Sequence, residues 1–398
     1  MKLHKNFILF LWVVGCLFLL PADYGWASSK PSFTVTDFRG KDIEIPEKVN
    51  RVITISDGMV EGVMTRLGQA HKIVGLGSAC LPKVWEYNIP GHNGKTYSFK
   101  NGMNPVTHIN LGFKALPLVT RSGVGISYEK VAELDPDLII IRTGSCSLSQ
   151  SCDVLKKNIE LLESLGIPLI VLHGPNTLDK PEISSISREI ILLGQVFRKE
   201  EVARKLANYL ESCVEFVRKR TAGIPVESRK KLLLLGLSPK ARSQGGAAHV
   251  KGNDTLQSFF LDKIINADNA YEASGAWNIL STEQVLSHDP DVIVLVTAWG
   301  YHPPEELYEA PYYKGLSQMR AVKNKMATAL PWTPCNCEKR LEYPIDIMVM
   351  AKAAYPELFS DIKLSTWLIS FYQKVYKVDL KTADELISRQ WMDWTRKE

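Results

Sequence analysis

The cysteines of this sequence are spaced in ways that suggest specific chemistry. After an apolar N-terminal segment they lie at Cys80, Cys146, Cys152, Cys213, Cys335 and Cys337. Cys146 and Cys152 have five residues between them, a spacing that could close a small disulfide ring in an exported protein. Cys335 and Cys337 are too close for an easy mutual disulfide, so pairing elsewhere and ligation of a soft metal both remain open. No complete zinc or iron–sulfur signature accompanies them, which favours structural disulfides over a metal centre.

A second group of chemically capable side chains follows segments that are typical of strands. Arg142 comes directly after one such segment, Trp299, Tyr301 and His302 follow another, and Arg340 ends the stretch PWTPCNCEKR. Arginine offers fixed N–H donors to carboxylate or catecholate oxygens, aromatic rings pack on flat organic molecules, and His or Tyr can complete a metal's coordination. Each residue taken singly could instead pack within its own loop. With the loop cysteines, the predicted ligand-binding set is Cys80, Arg142, Trp299, Tyr301, His302, Cys335, Cys337 and Arg340.

A repeated phrase indicates the elements that must position these loops. It reads SYEKVAELDPDLIII at residues 127–141 and STEQVLSHDPDVIVL at residues 281–295. In each copy a Ser can cap a helix, a Glu (Glu129 or Glu283) lies in the first turn, and Asp-Pro ends the helix before a run typical of a buried parallel strand. Two such units predict two related lobes with a cleft between them. Because ligands of open parallel sheets bind beyond the carboxyl ends of the strands, the loops there are the expected site.

The rest of the pattern completes this architecture. Residues 33–45 have the alternation of a hairpin around Arg39-Gly40, and residues 200–221 keep one apolar stripe through a helix long enough to bridge two lobes. We therefore expect an α/β fold with two Rossmann-like lobes, each with a central parallel sheet, joined by one long α-helix. The expected divisions are an N-terminal lobe at 32–199, the bridging helix at 200–221, and a C-terminal lobe with a helical tail at 222–398.

The N-terminus predicts export. Lys2 and Lys5 precede an apolar run that is short for a membrane span, and the small residues Gly25 and Ala27 follow it. We expect residues 1–27 to be a signal peptide and the mature protein to be periplasmic or otherwise extracytoplasmic. Residues 13–16 resemble a lipoprotein cleavage site, but four apolar residues follow Cys16, so a lipid anchor is the less favoured alternative.

The composition excludes several classes of function. The whole chain has a net charge of +5, spread along the sequence, and its longest charge run mixes both signs, which argues against a nucleic-acid partner. The sequence lacks a nucleophile elbow, a phosphate-cradling loop with Lys, and a zinc-protease motif. We therefore do not expect an enzyme, although an exported redox protein with cysteine-ligated metal remains an alternative.

Several stretches resemble one known family. Residues 34–52, 67–75 and 252–270, both copies of the repeat, and the sequence YPELF at 355–359 resemble the class III substrate-binding proteins that serve ABC importers of iron–siderophores, haem and cobalamin. The resemblance implies two lobes joined by one long helix and covers most of the mature chain. It also implies that Glu129 and Glu283, one on each lobe, meet arginines of the membrane permease.

The resemblance also implies the cargo and the partners. We expect the protein to capture a metal chelate, such as a ferric siderophore, haem or a corrinoid, and to deliver it to a permease and ATPase complex. Binding of an oxyanion such as molybdate or tungstate is the alternative. We expect a monomer without a tightly bound cofactor.

Overall fold

The computed structural model describes residues 31–121, 125–145, 148, 151–178, 180, 182–297, 300–333 and 339–398. The predicted signal peptide, with Cys16, lies outside these ranges, as do Cys146, Trp299, Cys335 and Cys337. Within the described ranges, no helix is both long enough and apolar enough to cross a membrane.

In the described part of the chain, the N-terminal lobe is built on a four-stranded parallel sheet. Its spatial order is Leu169–His173, Leu138–Thr143, Val52–Ile55 and Ile73–Leu76. Strand Leu138–Thr143 is buried along its whole length, as expected of a central parallel strand with both faces covered. The predicted hairpin is also present, with Ser32–Thr36 antiparallel to Asp42–Pro46.

The second sheet belongs to the C-terminal lobe and is mixed rather than wholly parallel. Its main order is Asn278–Leu280, Ala248–Val250, Lys231–Gly236, Val292–Leu295 and Ala327–Ala329, and Asp268–Asn269 also pairs with Lys231–Gly236. Strand Ala248–Val250 runs antiparallel to Lys231–Gly236. Only residues 237–247 connect these two strands, which is short for a parallel crossover with a helix, so the chain returns in the opposite direction. The predicted α/β fold of two lobes is confirmed, with this strand as a departure from a purely parallel sheet.

The long helix runs over Glu200–Thr221, as the sequence predicts. Its predicted apolar stripe is buried against helices Ser184–Val196 and Tyr343–Ala354 and belongs to a core that includes Ile140 of the first sheet and Leu234 of the second. The lobes therefore share one hydrophobic core around this helix, while the exact domain divisions stay a prediction. The α-helices of the described residues are Met59–Arg66, Pro105–Ile109, Tyr128–Glu133, Cys152–Glu163, Ser184–Val196, Glu200–Thr221, Pro239–Ser243, Leu256–Phe260, Thr282–Ser287, Pro304–Glu309, Arg320–Lys323, Tyr343–Ala354, Leu364–Tyr376 and Leu380–Arg389.

A second hairpin, which the sequence reading did not anticipate, pairs Trp85–Pro90 with Thr96–Gly102. Its tight turn includes His92–Gly94, and its strands alternate aromatic and polar residues. An Asn-Gly pair between alternating runs is a recognised hairpin signal. This hairpin extends from the N-terminal lobe to the C-terminal lobe, where Tyr97 donates a hydrogen bond to Glu309 at 2.7 Å.

The two Asp-Pro-Asp turns have the same structural role in the two lobes. Asp135 and Asp289 both adopt positive φ, 42° and 30°, which turns the chain from helix into strand. The next carboxylate then accepts hydrogen bonds from the start of the neighbouring strand. Asp137 accepts from the backbone N–H groups of Asn50 and Arg51, at 2.7 and 3.0 Å, and Asp291 accepts from that of Lys231 at 2.9 Å. The repeat is therefore a device that fixes helix, turn and strand in each lobe.

We expect Asp137→Ala to destabilise the protein by about 2 kcal/mol and Asp291→Ala by about 1 kcal/mol, since a hydrogen bond to a charged group contributes roughly that much. The larger effect at Asp137 follows from its two backbone donors. Urea unfolding of the purified variants measures both values. Asp137→Asn, which keeps one oxygen acceptor, should recover part of the loss, and equal stability of all variants would contradict this role for the carboxylates.

A continuous core around one stiff helix should also limit movement between the lobes. We expect small-angle scattering profiles recorded with and without bound ligand to superimpose closely, because hinge closure over many ångströms would have to break that core. A clear compaction on ligand binding would show that the helix does not constrain the lobes.

Candidate functional site

The two repeated helices each expose a carboxylate near the helix N-terminus. Glu129 lies in the first turn of Tyr128–Glu133, which Ser127 caps, and Glu283 lies in the first turn of Thr282–Ser287, which Ser281 caps. Both glutamates are exposed. The backbone N–H of Glu283 and the Ser281 hydroxyl, which donates to the carboxylate at 2.8 Å, hold the pKa of Glu283 below its ordinary value. The glutamates are thus available as fixed anions for an arginine of a partner.

Arg142, predicted to contact ligand, lies in an internal ion pair. It is 1% exposed, and its Nε and Nη2 donate to the two carboxylate oxygens of Glu189 at 2.7 and 2.8 Å. Its Nη1 donates to the backbone carbonyl of Lys339 at 2.8 Å. This bidentate arrangement fixes the guanidinium, and it joins the first sheet to segment 339–342. The structure therefore shows a positioning role for Arg142, and contact with a ligand stays a prediction.

Segment 339–342 lies between the lobes and carries two buried cations. Lys339 pairs with Asp346 of the following helix. Arg340, 4% exposed, donates from Nη1 to the backbone carbonyl of Asp57 at 2.8 Å. The Arg340 side chain packs so closely on Gly58, which has φ of 114°, that a Cβ there would lie 2.9 Å from its Cδ. Arg340 thus anchors the segment to the end of strand Val52–Ile55, and its predicted ligand contact remains untested.

Tyr301 is part of an aromatic cluster instead of an open loop. It is 2% exposed, its hydroxyl donates to the backbone carbonyl of Trp391 at 3.1 Å, and its ring centroid lies 4.7 Å from that of Phe99 and 5.0 Å from that of Trp391. Trp332 stacks on Trp391 with centroids 4.4 Å apart. The cluster joins the second hairpin, the end of the second sheet and the C-terminal tail.

His302 is held by a carboxylate in a way that leaves one ring nitrogen available. It is 6% exposed, and its Nδ1 lies 2.6 Å from Oε2 of Glu306, whose other oxygen accepts a hydrogen bond from Tyr312 at 2.7 Å. If Nδ1 carries the proton, Nε2 presents a lone pair. Among the described residues, Nε2 has no hydrogen-bond partner. A carboxylate that orients an imidazole is the usual arrangement behind a metal-ligating histidine.

A basic group that the sequence reading missed lies on and directly after the inner strand Ala248–Val250 of the second sheet. Lys251 is 9% exposed, and its ammonium lies 3.5 Å from the ring centroid of Trp277. His249, 4% exposed, packs edge-on against the same indole with centroids 5.4 Å apart. Burial, followed by the nearby charge of Lys339, lowers the pKa of Lys251 to about 7. Burial also lowers the pKa of His249.

A signal for this group was present in the sequence. His249 and Lys251 alternate in AHVKG, so a strand at Ala248–Val250 places both side chains on one face. The segment lacks the Pro, Trp and Tyr residues that marked the other loops as candidates. A lysine that shares a face with buried apolar neighbours was the available clue.

The structure tests only part of the cysteine predictions. Cys213 is buried on the long helix, and Cys80 is partly buried beyond strand Ile73–Leu76. Cys152 is a free, exposed thiol, which gives no support to the predicted ring, but Cys146 lies outside the described residues and the disulfide stays a prediction. Cys335, Cys337 and Trp299 also lie outside the described residues, so their roles stay predictions. Among the described residues, no group of three or more His, Cys, Asp or Glu side chains could hold a metal ion.

Known proteins of similar sequence and structure fit this two-lobed arrangement. The periplasmic solute binding protein of Veillonella parvula has 22% sequence identity and a TM-score of 0.66, with 92% of this chain and 99% of that chain covered. CeuE of Helicobacter pylori, in a nickel–histidine complex, has 18% identity and a TM-score of 0.62, with 89% of this chain and 99% of that chain covered. The molybdate-binding protein MolA of Haemophilus influenzae is 20% identical over 371 residues, which are 87% of this chain and 92% of MolA.

The family model described as Periplasmic binding protein matches residues 62–331, which is more than half of the chain. The matched region begins within the first helix of the N-terminal lobe and ends beyond the last strand of the second sheet. It therefore includes the long helix and both copies of the repeat. The chain belongs to the periplasmic binding protein family, as a class III substrate-binding protein of the kind that serves ABC transporters.

Proposed function

We propose that this protein is exported, captures a metal chelate between its lobes, and delivers it to the permease and ATPase of an ABC importer. The observation that carries the delivery role is the pair of exposed glutamates, Glu129 and Glu283, at the same position of two equivalent capped helices. One fixed anion on each lobe would let the permease recognise the relative placement of the two lobes. Small rocking movements on ligand binding would then change how both anions are presented.

His302 supports a cargo that contains a metal. Its Nε2 has no hydrogen-bond partner in the part of the chain that the structure describes, and Glu306 holds the ring through Nδ1. Imidazole nitrogen suits iron, nickel, copper and zinc, and it can also ligate the cobalt of a corrinoid, so the cargo could be a ferric siderophore, haem, a corrinoid or a smaller complex. The nickel–histidine complex of the Helicobacter pylori relative is a further reason to consider small chelates.

An oxyanion such as molybdate or tungstate is the second candidate cargo. The observation that favours it is the similarity to MolA, which extends over 92% of that molybdate-binding protein. An oxyanion needs hydrogen-bond donors and positive charge rather than a metal-coordinating nitrogen. The two candidates can therefore be separated by which side chains the bound cargo requires.

We expect the double variant Glu129→Ala/Glu283→Ala to lose uptake into cells while its affinity for ligand stays within about twofold of wild type. Removal of exposed first-turn carboxylates should change the stability little, so the fold should persist. Uptake of radiolabelled cargo by cells that carry the variant measures the first effect. Calorimetry on the purified protein measures the second.

The matched control is Glu133→Ala/Glu272→Ala, which removes one exposed carboxylate from each lobe away from the capped first turns. This control should transport normally. Normal uptake by the Glu129/Glu283 variant, or equal loss by both variants, would contradict docking through the repeated glutamates.

We expect the purified protein to bind at least one metal-containing probe with a dissociation constant of about 1 µM or tighter, which corresponds to about 8 kcal/mol. The probes are ferric citrate, haemin, cyanocobalamin, nickel–histidine and molybdate, each titrated while tryptophan fluorescence is followed. Binding of a chelate that His302→Ala weakens and His302→Gln partly restores would support the first cargo. Tight binding of molybdate alone, unaffected by His302→Ala, would reject the chelate in favour of the oxyanion.

A further inference from the structure

Lys251 is a buried ammonium group for which the described residues supply no carboxylate partner. Two other buried cations, Arg142 and Lys339, are each paired with an acid, Glu189 and Asp346 respectively. Among the described residues, no Asp or Glu forms an ion pair with Lys251, and the charged group that acts on it is the like-charged Lys339. Burying an unpaired charge is unfavourable unless something else in the protein's working state neutralises it.

Trp277 compensates for only part of this cost. The Lys251 ammonium lies over its ring at 3.5 Å from the centroid, which is a close cation–π contact. The indole is 42% exposed, so one side of the site is open to solvent. An aromatic face attracts a cation but leaves its N–H groups available as hydrogen-bond donors. The site can therefore still accept a negatively charged group.

His249 adds a second donor on the same face of the strand. It is two residues from Lys251 and packs edge-on against the Trp277 ring. Among the described residues, neither of its buried ring nitrogens makes a hydrogen bond of normal geometry, although the backbone of Trp277 lies close enough to oppose the lowering of the ring's pKa by burial. Buried polar nitrogens of this kind are rarely left unpaired in a native protein. Imidazole and ammonium together form a donor pair suited to oxygen atoms of an anion.

The position of the pair relates it to the junction between the lobes. His249 lies opposite Gly236, at the carboxyl end of the central strand Lys231–Gly236. The charge of Lys339 contributes to the lowered pKa of Lys251. The backbone carbonyl of Lys339 accepts a hydrogen bond from Arg142 of the first sheet. Lys251 therefore directly follows an inner strand of the second sheet and is close enough to segment 339–342 for the charge of Lys339 to act on it.

We propose that Lys251 and His249 form an anion-binding site, and that the cargo presents negatively charged oxygen atoms to it. The proposal rests on the function proposed above and narrows the cargo to anionic species. These oxygens could belong to a free oxyanion or to a carboxylate or catecholate of a metal chelate, and the chemistry of recognition is the same. A cargo with no net charge would not use this site.

The test compares Lys251→Met with wild type and with Lys323→Met, which removes an exposed lysine from the same lobe. The anionic probes are molybdate, ferric citrate and haemin, and the neutral probe is cyanocobalamin. We expect wild type to bind one of the anionic probes and Lys251→Met to bind that probe at least tenfold more weakly, with Lys323→Met unchanged. The probe that binds distinguishes a free oxyanion from a chelate.

A second measurement separates this role from a structural one. In the absence of ligand, Lys251→Met should melt at the same temperature as wild type or higher, because it removes an uncompensated buried charge. A variant that loses affinity and also melts several degrees lower would indicate a structural lysine and would overturn the proposal. Lys251→Arg should retain binding, because it keeps the positive charge.

The affinity of wild type for the anionic probe should also fall as pH rises from 6.5 to 8.5. The pKa of Lys251 is lowered to about 7, so the ammonium that binds the anion is present below that pH and is lost above it. Within the described ranges, the charged and titratable groups that act on the pair are Lys339, Lys240 and the two residues themselves, and none supplies a compensating negative charge. Lys251→Arg should show a much flatter profile, and equal profiles for the two proteins would contradict the assignment.

The remaining outcomes are also decisive. Binding of cyanocobalamin alone, unaffected by Lys251→Met, would overturn the anion site while leaving the proposed function intact. Failure of wild type to bind any of the anionic or neutral probes would count against both proposals. Anionic binding that Lys251→Met does not weaken would reject the site directly.

Discussion

The buried ion pair of Arg142, which also donates a hydrogen bond to segment 339–342, is the constraint on which the rest of this structure depends. Arg142 at the end of the first sheet binds Glu189 with two hydrogen bonds and the Lys339 carbonyl with a third. Removing one member of such a pair would leave an uncompensated charge in the core, which typically costs about 3–5 kcal/mol. The same interaction fixes segment 339–342, and Arg340 then meets the end of strand Val52–Ile55. These contacts therefore hold segment 339–342 in place without a bound ligand.

Against these paired groups, a few buried polar side chains stand out because they have no such partner among the described residues. Among the described residues, Nε2 of His302 and both ring nitrogens of His249 have no hydrogen-bond partner of normal geometry, and Lys251 has no carboxylate partner. The buried cations Arg142 and Lys339, in contrast, are paired with acids. Unpaired donors and acceptors in such a setting lower stability but allow a ligand to be recognised by the bonds it completes. The long helix, the shared core and the second hairpin hold these groups in place, so binding need not order them. The exposed glutamates of the two repeated helices face outward and are separate from this site.

The fold was largely predictable from the sequence, whereas the site was only partly so. The repeated phrase, the stripe of the long helix and the first hairpin obey local rules of capping, periodicity and turn chemistry, and the structure confirms them. The antiparallel direction of strand Ala248–Val250 was not predicted, because it depends on the short connection at residues 237–247 and not on the residues of the strand itself. Arg142 and Tyr301 were recognised as important for their position after strands, but the sequence could not show that Glu189 and Trp391 would engage them, because those partners are distant along the chain. Lys251 was missed for a similar reason. Only the folded structure shows that no described carboxylate pairs with it.

The most direct test of this account is the native mass spectrum of the protein purified from its own host, combined with elemental analysis of the same sample. The account predicts an added mass that is lost on denaturation, contains a stoichiometric metal, and corresponds to a species with net negative charge. A bound molecule that contains no metal, or one that carries no negative charge, would contradict it.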